Sequence, residues 1–258
     1  MTHPAHPAPT DSPVSPDRAP GGGGPIRPMP LVLMYHSVDE YDEDPHQITV
    51  TPARFARQLA WLRSAGLRGV GMRELLDAHA DGRARGLVGL TFDDGYADFA
   101  TRVTPTLLRF GFSATVFVVT ERIGGDNAWD DGPRKPLMTV GQIASVARSG
   151  MEVASHGLRH VPLPAASDDA LAAELAGSRA ALERIVGEPV TGFAYPYGHA
   201  GAREAAAAEA AGYDYACAID PYEPSRHALA RTYIGERDRR LRLRAKVVRH
   251  ELRWRSRV

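Results

Sequence analysis

Residues 87–95 read Leu-Val-Gly-Leu-Thr-Phe-Asp-Asp-Gly, an apolar run that ends in two acids and a glycine. The apolar part predicts a buried β-strand over residues 87–92. The glycine permits the sharp turn that a strand end requires. Asp-Asp-Gly is also ordinary turn chemistry, so this segment by itself leaves a structural and a functional interpretation open.

The same order of strand and helix recurs on both sides of this segment. Further strands are predicted at residues 31–35, 67–70, 112–119, 151–155, 190–195 and 213–219. Helical patterns lie between them, although Pro105 falls inside the helix predicted over residues 99–110. About seven such units favour an α/β fold, namely a closed or nearly closed (β/α) barrel resembling a TIM barrel. An open doubly wound sheet is the alternative.

Composition narrows the class of molecule. The chain has 258 residues, 43% of them hydrophobic and 24% charged, and its formal net charge is zero. This balance is typical of a globular domain and argues against a general nucleic-acid binder. The single cysteine, Cys217, excludes an intramolecular disulfide, and its apolar neighbours predict a buried structural thiol. No run approaches the ~20 apolar residues of a transmembrane helix.

The chain divides into a leader and one domain. Residues 1–28 are rich in Pro, Ala, Ser and Gly, which predicts disorder. Because they lack the apolar core of a signal peptide, we expect a cytoplasmic protein; a different true start would make it secreted. Residues 29–258 are predicted to form the folded domain.

A pair of histidines follows another predicted strand. His156 comes directly after residues 151–155, and His160 lies four residues further on. This spacing lets two imidazoles face one ion, although ten histidines in the chain make incidental spacing an alternative. Active sites of parallel barrels form at the carboxyl ends of the strands, where Asp93 and Asp94 also lie. Two imidazoles and one carboxylate would form a metal site with open coordination positions.

A third polar cluster follows the strand predicted over residues 190–195. Tyr195, Pro196, Tyr197 and Gly198 would offer a backbone N–H to an oxyanion and an aromatic wall to a sugar ring. Trp129, in the predicted loop at residues 120–138, is a further candidate for stacking on a sugar. The alternatives are a Pro-Gly loop lined by aromatic side chains and plain surface packing of the tryptophan.

Together these motifs resemble the polysaccharide deacetylase family, also called the NodB-homology family or carbohydrate esterase family 4. The resemblance rests on residues 91–95 (Thr-Phe-Asp-Asp-Gly), on His156 and His160, and on residues 195–198 (Tyr-Pro-Tyr-Gly). Residues 34–37 (Met-Tyr-His-Ser) resemble the opening motif of a bacterial subgroup of this family, which includes exopolysaccharide deacetylases. The similarity spans roughly residues 31–235, with its core at residues 85–220.

The resemblance implies a distorted NodB-type barrel that hydrolyses N-acetyl groups of an amino sugar or N-acetylated glycan. It implies a divalent metal, usually Zn²⁺, with Co²⁺, Ni²⁺ or Mn²⁺ as alternatives. Asp94, His156 and His160 would be its ligands. Asp93 would be the base that takes a proton from the attacking water, and the backbone N–H of Tyr197 would face the oxyanion.

Two family features are absent from their usual places. Many members carry a base-orienting arginine where this chain has Ala194, and we expect Arg231 to replace it. The histidine that acts as general acid near the C-terminus has no clean counterpart. His36 and His227 are the candidates, each with a structural or supporting role as the alternative.

The C-terminal stretch at residues 235–258 is strongly basic, with ten Lys or Arg and three acids. Leu241, Ala245, Val248 and Leu252 recur at helical spacing and predict a helix over residues 237–254 that packs on the barrel. A peripheral contact with an anionic polymer or membrane surface is the alternative.

Two other functions remain open from the sequence. One is a carbohydrate-binding relative without turnover, favoured by the missing arginine and general acid. The other is a metal hydrolase of a different amide or ester, such as an acylated small molecule. The intact set of two acids and two histidines argues against a purely binding role. The oligomeric state is not predicted.

Overall fold

The computed structural model of the chain describes residues 29–255, so the predicted leader at residues 1–28 lies outside the described residues. Two sheets are present, and all of their strand pairs are parallel. The strands are β1 (Val32–Tyr35), β2 (Ser37–Val38), β3 (Thr49–Val50), β4 (Arg68–Val70), β5 (Leu87–Phe92), β6 (Thr115–Val118), β7 (Glu152–Ser155), β8 (Gly192–Ala194), β9 (Tyr215–Cys217) and β10 (Thr232–Tyr233). Only β2 and β3 stand apart, as a small separate pair.

The main sheet curls into a distorted barrel, as predicted. Its strand order is β10-β1-β5-β6-β7-β8-β9, and β4 pairs with the first half of β5. Leu229 N donates to Ala216 O at 2.9 Å, so the segment leading into β10 pairs with β9 while β10 pairs with β1. Because the strand order never reverses as it does in a doubly wound sheet, the alternative open sheet is excluded.

Within residues 29–255, seven α-helices follow the strands. They are α1 (Pro52–Ser64), α2 (Met72–Ala80), α3 (Thr104–Phe110), α4 (Val140–Arg148), α5 (Asp168–Val186), α6 (Ala202–Ala210) and α7 (Arg240–Arg255). Thr51 caps α1 and Thr139 caps α4 through their side-chain oxygens. The helix predicted over residues 99–110 is divided: a π-helical turn at Phe99–Val103 precedes α3. Pro105 therefore stands in the first turn of α3, where a missing N–H is tolerated.

Side chains point alternately to the two faces of each strand, and the buried ones form two hydrophobic clusters. Tyr35, Phe92 and Phe193 pack with the helices, whereas Ala154 and Cys217 belong to a second cluster on the other side of the sheet. Cys217 is fully buried, and burial raises the pKa of its thiol to about 12. A thiol in this environment stays protonated, which agrees with the predicted structural role.

The predicted C-terminal helix is present as α7, but its predicted packing face is wrong. Leu241, Val248 and Leu252, which were expected to pack, are exposed. The opposite face is buried instead, and it consists of Leu243, Val247, His250 and Trp254. The helix carries two apolar stripes with the same spacing on opposite sides, so periodicity alone could not identify the buried one. Within residues 29–255, no helix has the length and apolar character needed to cross a membrane.

Candidate metal centre and active site

Three predicted ligands meet at the carboxyl ends of the strands. Asp94 follows β5, and His156 and His160 follow β7. Their ligating atoms all lie within 4.8 Å of one another, and all three residues are buried. Asp94 Oδ1 lies 3.3 Å from His160 Nε2 and 3.6 Å from His156 Nε2. Two distant segments of the chain thus contribute to one cluster because both strands end at the same edge of the barrel.

The donor set fits a divalent cation. Ligands at the usual ~2.0–2.1 Å from a tetrahedral Zn²⁺ are separated by about 3.3 Å, close to the Asp94–imidazole distances. Asp94 Oδ1 is buried and has no hydrogen-bond partner among the described residues. His156 Nδ1 lies 2.7 Å from Ala194 O, which fixes Nδ1–H as the donor and leaves the Nε2 lone pair directed towards Asp94.

The electrostatics of the cluster favour the same conclusion. Burial lowers the pKa of His156 to about 4, and burial together with His156 lowers the pKa of His160 to about 2. Both rings are therefore neutral near pH 7 and retain a lone pair for a ligand bond. Burial and the charge of Asp93 raise the pKa of Asp94 well above its usual range, so a buried cation there would relieve an unfavourable charge.

Asp93 has a different environment from its neighbour. Arg231 donates from Nη1 to Asp93 Oδ1 at 2.6 Å and from Nη2 to Oδ2 at 2.8 Å. Burial would raise the pKa of Asp93, but the charge of Arg231 lowers it to about 2. The guanidinium is itself fully buried and donates from Nε to Ala218 O at 3.0 Å. Asp93 is consequently ionised and held in a fixed orientation, in contact with the arginine that we expected to replace the missing one.

Backbone strain is concentrated at this site. Among the described residues, four that are not glycine have positive φ: Gln47, Asp94, His160 and Tyr197. Three of these four belong to the predicted site, with φ of 71°, 62° and 61° for Asp94, His160 and Tyr197. This region of φ is unfavourable for side chains other than glycine, and such strain is retained where the surrounding structure enforces it. The pattern marks the site independently of the motifs.

Aromatic side chains surround His160, one of the candidate ligands. The Trp129 ring stacks on it with centroids 4.7 Å apart, and the Tyr197 ring contacts it edge-on at 4.7 Å. Tyr197 is 41% exposed and so is accessible to a bound molecule. The ring centroids of His36 and Tyr233 lie 6.5 Å apart. Burial lowers the pKa of His36, whereas the charge of Asp93 raises it. The structure therefore brings the predicted Trp129, Tyr197 and His36 to the same edge of the barrel.

Three predicted substrate contacts are not supported. The Tyr195 side chain is fully buried among the helices, with its hydroxyl donating to His227 O at 2.8 Å, because it points to the opposite side of the strand from Ala194. Pro196 is buried beside Gly157. His227 is buried with Nε2 2.8 Å from Tyr213 O, and Tyr213 precedes β9, at the far end of the barrel. None of the three side chains is available to a substrate or to proton transfer at the strand ends.

The motifs did not indicate one residue that supports the site. Glu174, on α5, has no solvent exposure. Its Oε2 accepts from Leu158 N at 2.7 Å and Arg159 N at 3.1 Å, and its Oε1 accepts from Arg159 Nε at 2.7 Å. A Cβ at Gly157 would lie 3.0 Å from Oε2, and the φ of this residue is +84°, so the position favours glycine. Glu174 thus holds the loop between the two histidines, and no sequence motif indicated this contact.

We predict that Glu174→Ala weakens binding of Co²⁺ or Zn²⁺ by about tenfold or more, the range typical of supporting partners of metal ligands. The variant leaves the part-buried backbone N–H groups of Leu158 and Arg159 without their acceptor and releases the loop that positions His160. Titration followed by Co²⁺ absorption measures the change. Arg159→Gln is the matched control, because it removes only a half-exposed side chain and should bind metal nearly as the wild type does. A Glu174→Ala protein with reduced thermal stability but unchanged metal affinity would contradict this positioning role.

The fold and the strand-end cluster define a NodB-type (β/α) barrel protein. The chain belongs to the polysaccharide deacetylase family, whose model matches residues 81–216. This match confirms the resemblance inferred from the motifs at residues 91–95, 155–160 and 195–198.

Known proteins agree with this family. YxkH of Bacillus subtilis (strain 168) is 26% identical over 197 residues, which cover 76% of this chain and 66% of that protein. The poly-beta-1,6-N-acetyl-D-glucosamine N-deacetylase of Escherichia coli (strain K12) is 32% identical over 142 residues, or 49% of this chain and 20% of that enzyme. The chain thus matches less than two thirds of these relatives. The deacetylase PplD of Streptococcus pyogenes, solved with acetate, shares the fold with a TM-score of 0.73 at 22% identity, over 87% of this chain and 99% of that one.

Proposed function

We propose that this chain is a metal-dependent hydrolase that removes N-acetyl groups from an amino sugar or an N-acetylated glycan. One observation carries the proposal: Asp94, His156 and His160 converge within 4.8 Å, while Asp93 beside them is paired with Arg231 instead. The carboxylate of Asp94 is thereby available to bind a cation, and the neighbouring carboxylate of Asp93 is available to accept a proton. Deacetylases of this family are generally metal-dependent, which supports the same conclusion.

Asp94, His156 and His160 would hold the cation, with Zn²⁺ favoured by the nitrogen and oxygen donors and Co²⁺, Ni²⁺ or Mn²⁺ as substitutes. When bound, a divalent cation supplies Lewis acidity to a water molecule and to the acetyl carbonyl oxygen. The protein residues contribute a neutral, fixed pair of imidazoles, because His156 is oriented through Ala194 O and both rings are buried.

Asp93 is assigned the role of general base. Its carboxylate is ionised at neutral pH because the charge of Arg231 lowers its pKa. The same guanidinium engages both carboxylate oxygens, which keeps Asp93 from acting as an additional ligand. Asp93 would accept a proton from the water that attacks the acetyl carbonyl carbon, as general bases do within hydrogen-bond reach.

Two further groups complete the reaction. The backbone N–H of Tyr197, held at a positive φ, is assigned to the oxyanion that develops on the acetyl oxygen. His36 is assigned to proton transfer to the departing amine, since it lies among the charges of Asp93 and Arg231. Because burial lowers its pKa, His36 begins neutral, so it would first accept the proton that Asp93 takes from the attacking water and would then pass that proton to the amine. The C–N bond then breaks, and acetate and a free amino sugar leave.

The substrate class follows from the rim of the site and from the relatives. Trp129 and Tyr197 both contact His160, and such aromatic faces pack well against the apolar faces of sugar rings. The Escherichia coli relative is named for poly-beta-1,6-N-acetyl-D-glucosamine. A β-linked N-acetylglucosamine polymer or oligomer is therefore the first substrate to test.

We predict acetate release from an N-acetylated glycan by the metal-loaded protein and its loss after chelation. The panel should contain poly-β-1,6-N-acetylglucosamine, chitooligosaccharides, free N-acetylglucosamine, and an acetylated amide and ester without a sugar. A coupled acetate assay compares protein loaded with Zn²⁺ or Co²⁺, protein stripped with EDTA, and stripped protein with metal restored. Equal release by stripped protein would contradict metal dependence, and release from the non-sugar compounds alone would contradict a carbohydrate substrate. Tight glycan binding with no acetate would support the non-catalytic alternative.

A further inference from the structure

Helix α7 carries an apolar stripe on the side that faces away from the barrel. Leu241 is 80% exposed, Val248 44% and Leu252 67%, and Ala245 is exposed between them. Their spacing of four, three and four residues aligns these side chains along about 16 Å of the helix. The opposite side of the helix forms its buried face, so the exposed stripe is not part of the core of the barrel.

Arginines flank the stripe on both sides. At 3.6 residues per turn, Arg240 and Arg244 lie along one edge, and Arg242 and Arg249 lie along the other. All four are exposed, and Arg242 pairs with Asp238 at 3.2 Å. The other three make no ion pair with any residue in the described range 29–255. Glu251 is the one exposed acid within the described part of α7.

The positive surface continues beyond the helix. Arg57 of α1 and Arg239 line a cavity together with Arg240, beside Trp61. A second copy of the chain is therefore a poor occupant, because two such faces would bring like charges together. An anionic glycan or nucleic acid would pair with the arginines but would offer no apolar phase to the leucines. An anionic lipid surface satisfies both, since apolar side chains enter the acyl boundary and arginines reach the headgroups.

We propose that the outer face of α7, namely Leu241, Ala245, Val248 and Leu252 with their flanking arginines, binds the surface of membranes that contain anionic lipids. The inference is independent of the metal site and of the proposed deacetylation. Its arrangement is that of an interfacial helix, with an apolar stripe and a basic border, but here the helix is anchored to a folded barrel by its other face.

Co-sedimentation of the full chain with vesicles tests this proposal. Vesicles of phosphatidylcholine alone are compared with vesicles that also contain about 30 mol% phosphatidylglycerol, an anionic lipid that makes the membrane surface negative. We expect binding only to the anionic vesicles. Leu241→Ser with Leu252→Ser, and separately Arg244→Gln with Arg249→Gln, should each reduce the partition coefficient by about tenfold or more. Circular dichroism should show unchanged folding, because all four side chains are exposed.

Leu108→Ser with Arg148→Gln is the matched control, since it removes one exposed leucine and one exposed arginine elsewhere on the surface. This variant should bind vesicles as the wild type does. Binding that survives the leucine changes would reduce the interaction to simple electrostatic adsorption and overturn the proposal. Two other results would overturn the proposal: self-association without lipid that depends on the leucines, and binding to polyphosphate but not to vesicles.

Discussion

Asp93→Asn is expected to lower kcat for acetate release by about 10²–10⁴-fold while the protein still binds metal. The change preserves size and leaves one oxygen to accept a bond from Arg231, but it removes the carboxylate that would take a proton from the attacking water. Because Asp93 pairs with Arg231 rather than with the two imidazoles, the three candidate ligand atoms should stay in place. Turnover and metal content should therefore separate in this variant.

The measurement needs two readouts on the same preparation. Steady-state acetate release gives kcat and KM, and Co²⁺ absorption or elemental analysis gives metal content. The variant leaves a fully buried guanidinium beside a neutral amide, so some loss of thermal stability is expected and the assay should run well below the melting temperature. Wild-type turnover in a verified Asp93→Asn protein would remove Asp93 from the role of base.

Much of the barrel was predictable because its strands are buried and apolar. The strand predicted over residues 87–92 is β5 with the same bounds, and the strands at 31–35 and 151–155 differ from β1 and β7 by one residue each. These segments carry their own periodicity and end at polar clusters. The closing strand β10 has only two half-buried residues, and its pairing with β1 depends on contacts across 199 positions, so no local pattern could reveal it.

The candidate site also contains features that the sequence could predict and features that it could not. Asp94, His156 and His160 could be grouped from their positions after predicted strands, and the family resemblance added their roles. Tyr195 could have been rejected with the same rule of alternation: Ala194 belongs to the inner cluster, so the side chain of the next residue points outward. The positive φ of His160 and the support from Glu174 arise only in the folded chain, since they depend on contacts between a loop and a distant helix.

Asp94→Asn should have the opposite consequence to Asp93→Asn, with the loss of bound metal as its primary effect. Asn is the mildest available change, since it keeps the shape of the side chain and tolerates the positive φ of 71° at this position as Asp does. It removes the charge that a divalent cation would neutralise. We expect metal affinity to fall by more than about 100-fold, beyond the usual effect of losing a supporting residue, and activity to fall with it. His156→Ala, which removes an imidazole donor, should behave alike.

The two asparagine variants form a matched pair, because the same chemical change is made at adjacent buried positions. Metal-binding isotherms for both, with acetate release measured at saturating metal, separate their roles. Excess Co²⁺ or Zn²⁺ should restore part of the activity of Asp94→Asn, since weak binding can be overcome by concentration, but should restore none to Asp93→Asn. If both variants retained wild-type metal affinity, Asp94 would not be a ligand, and its buried unpaired oxygen would need another explanation.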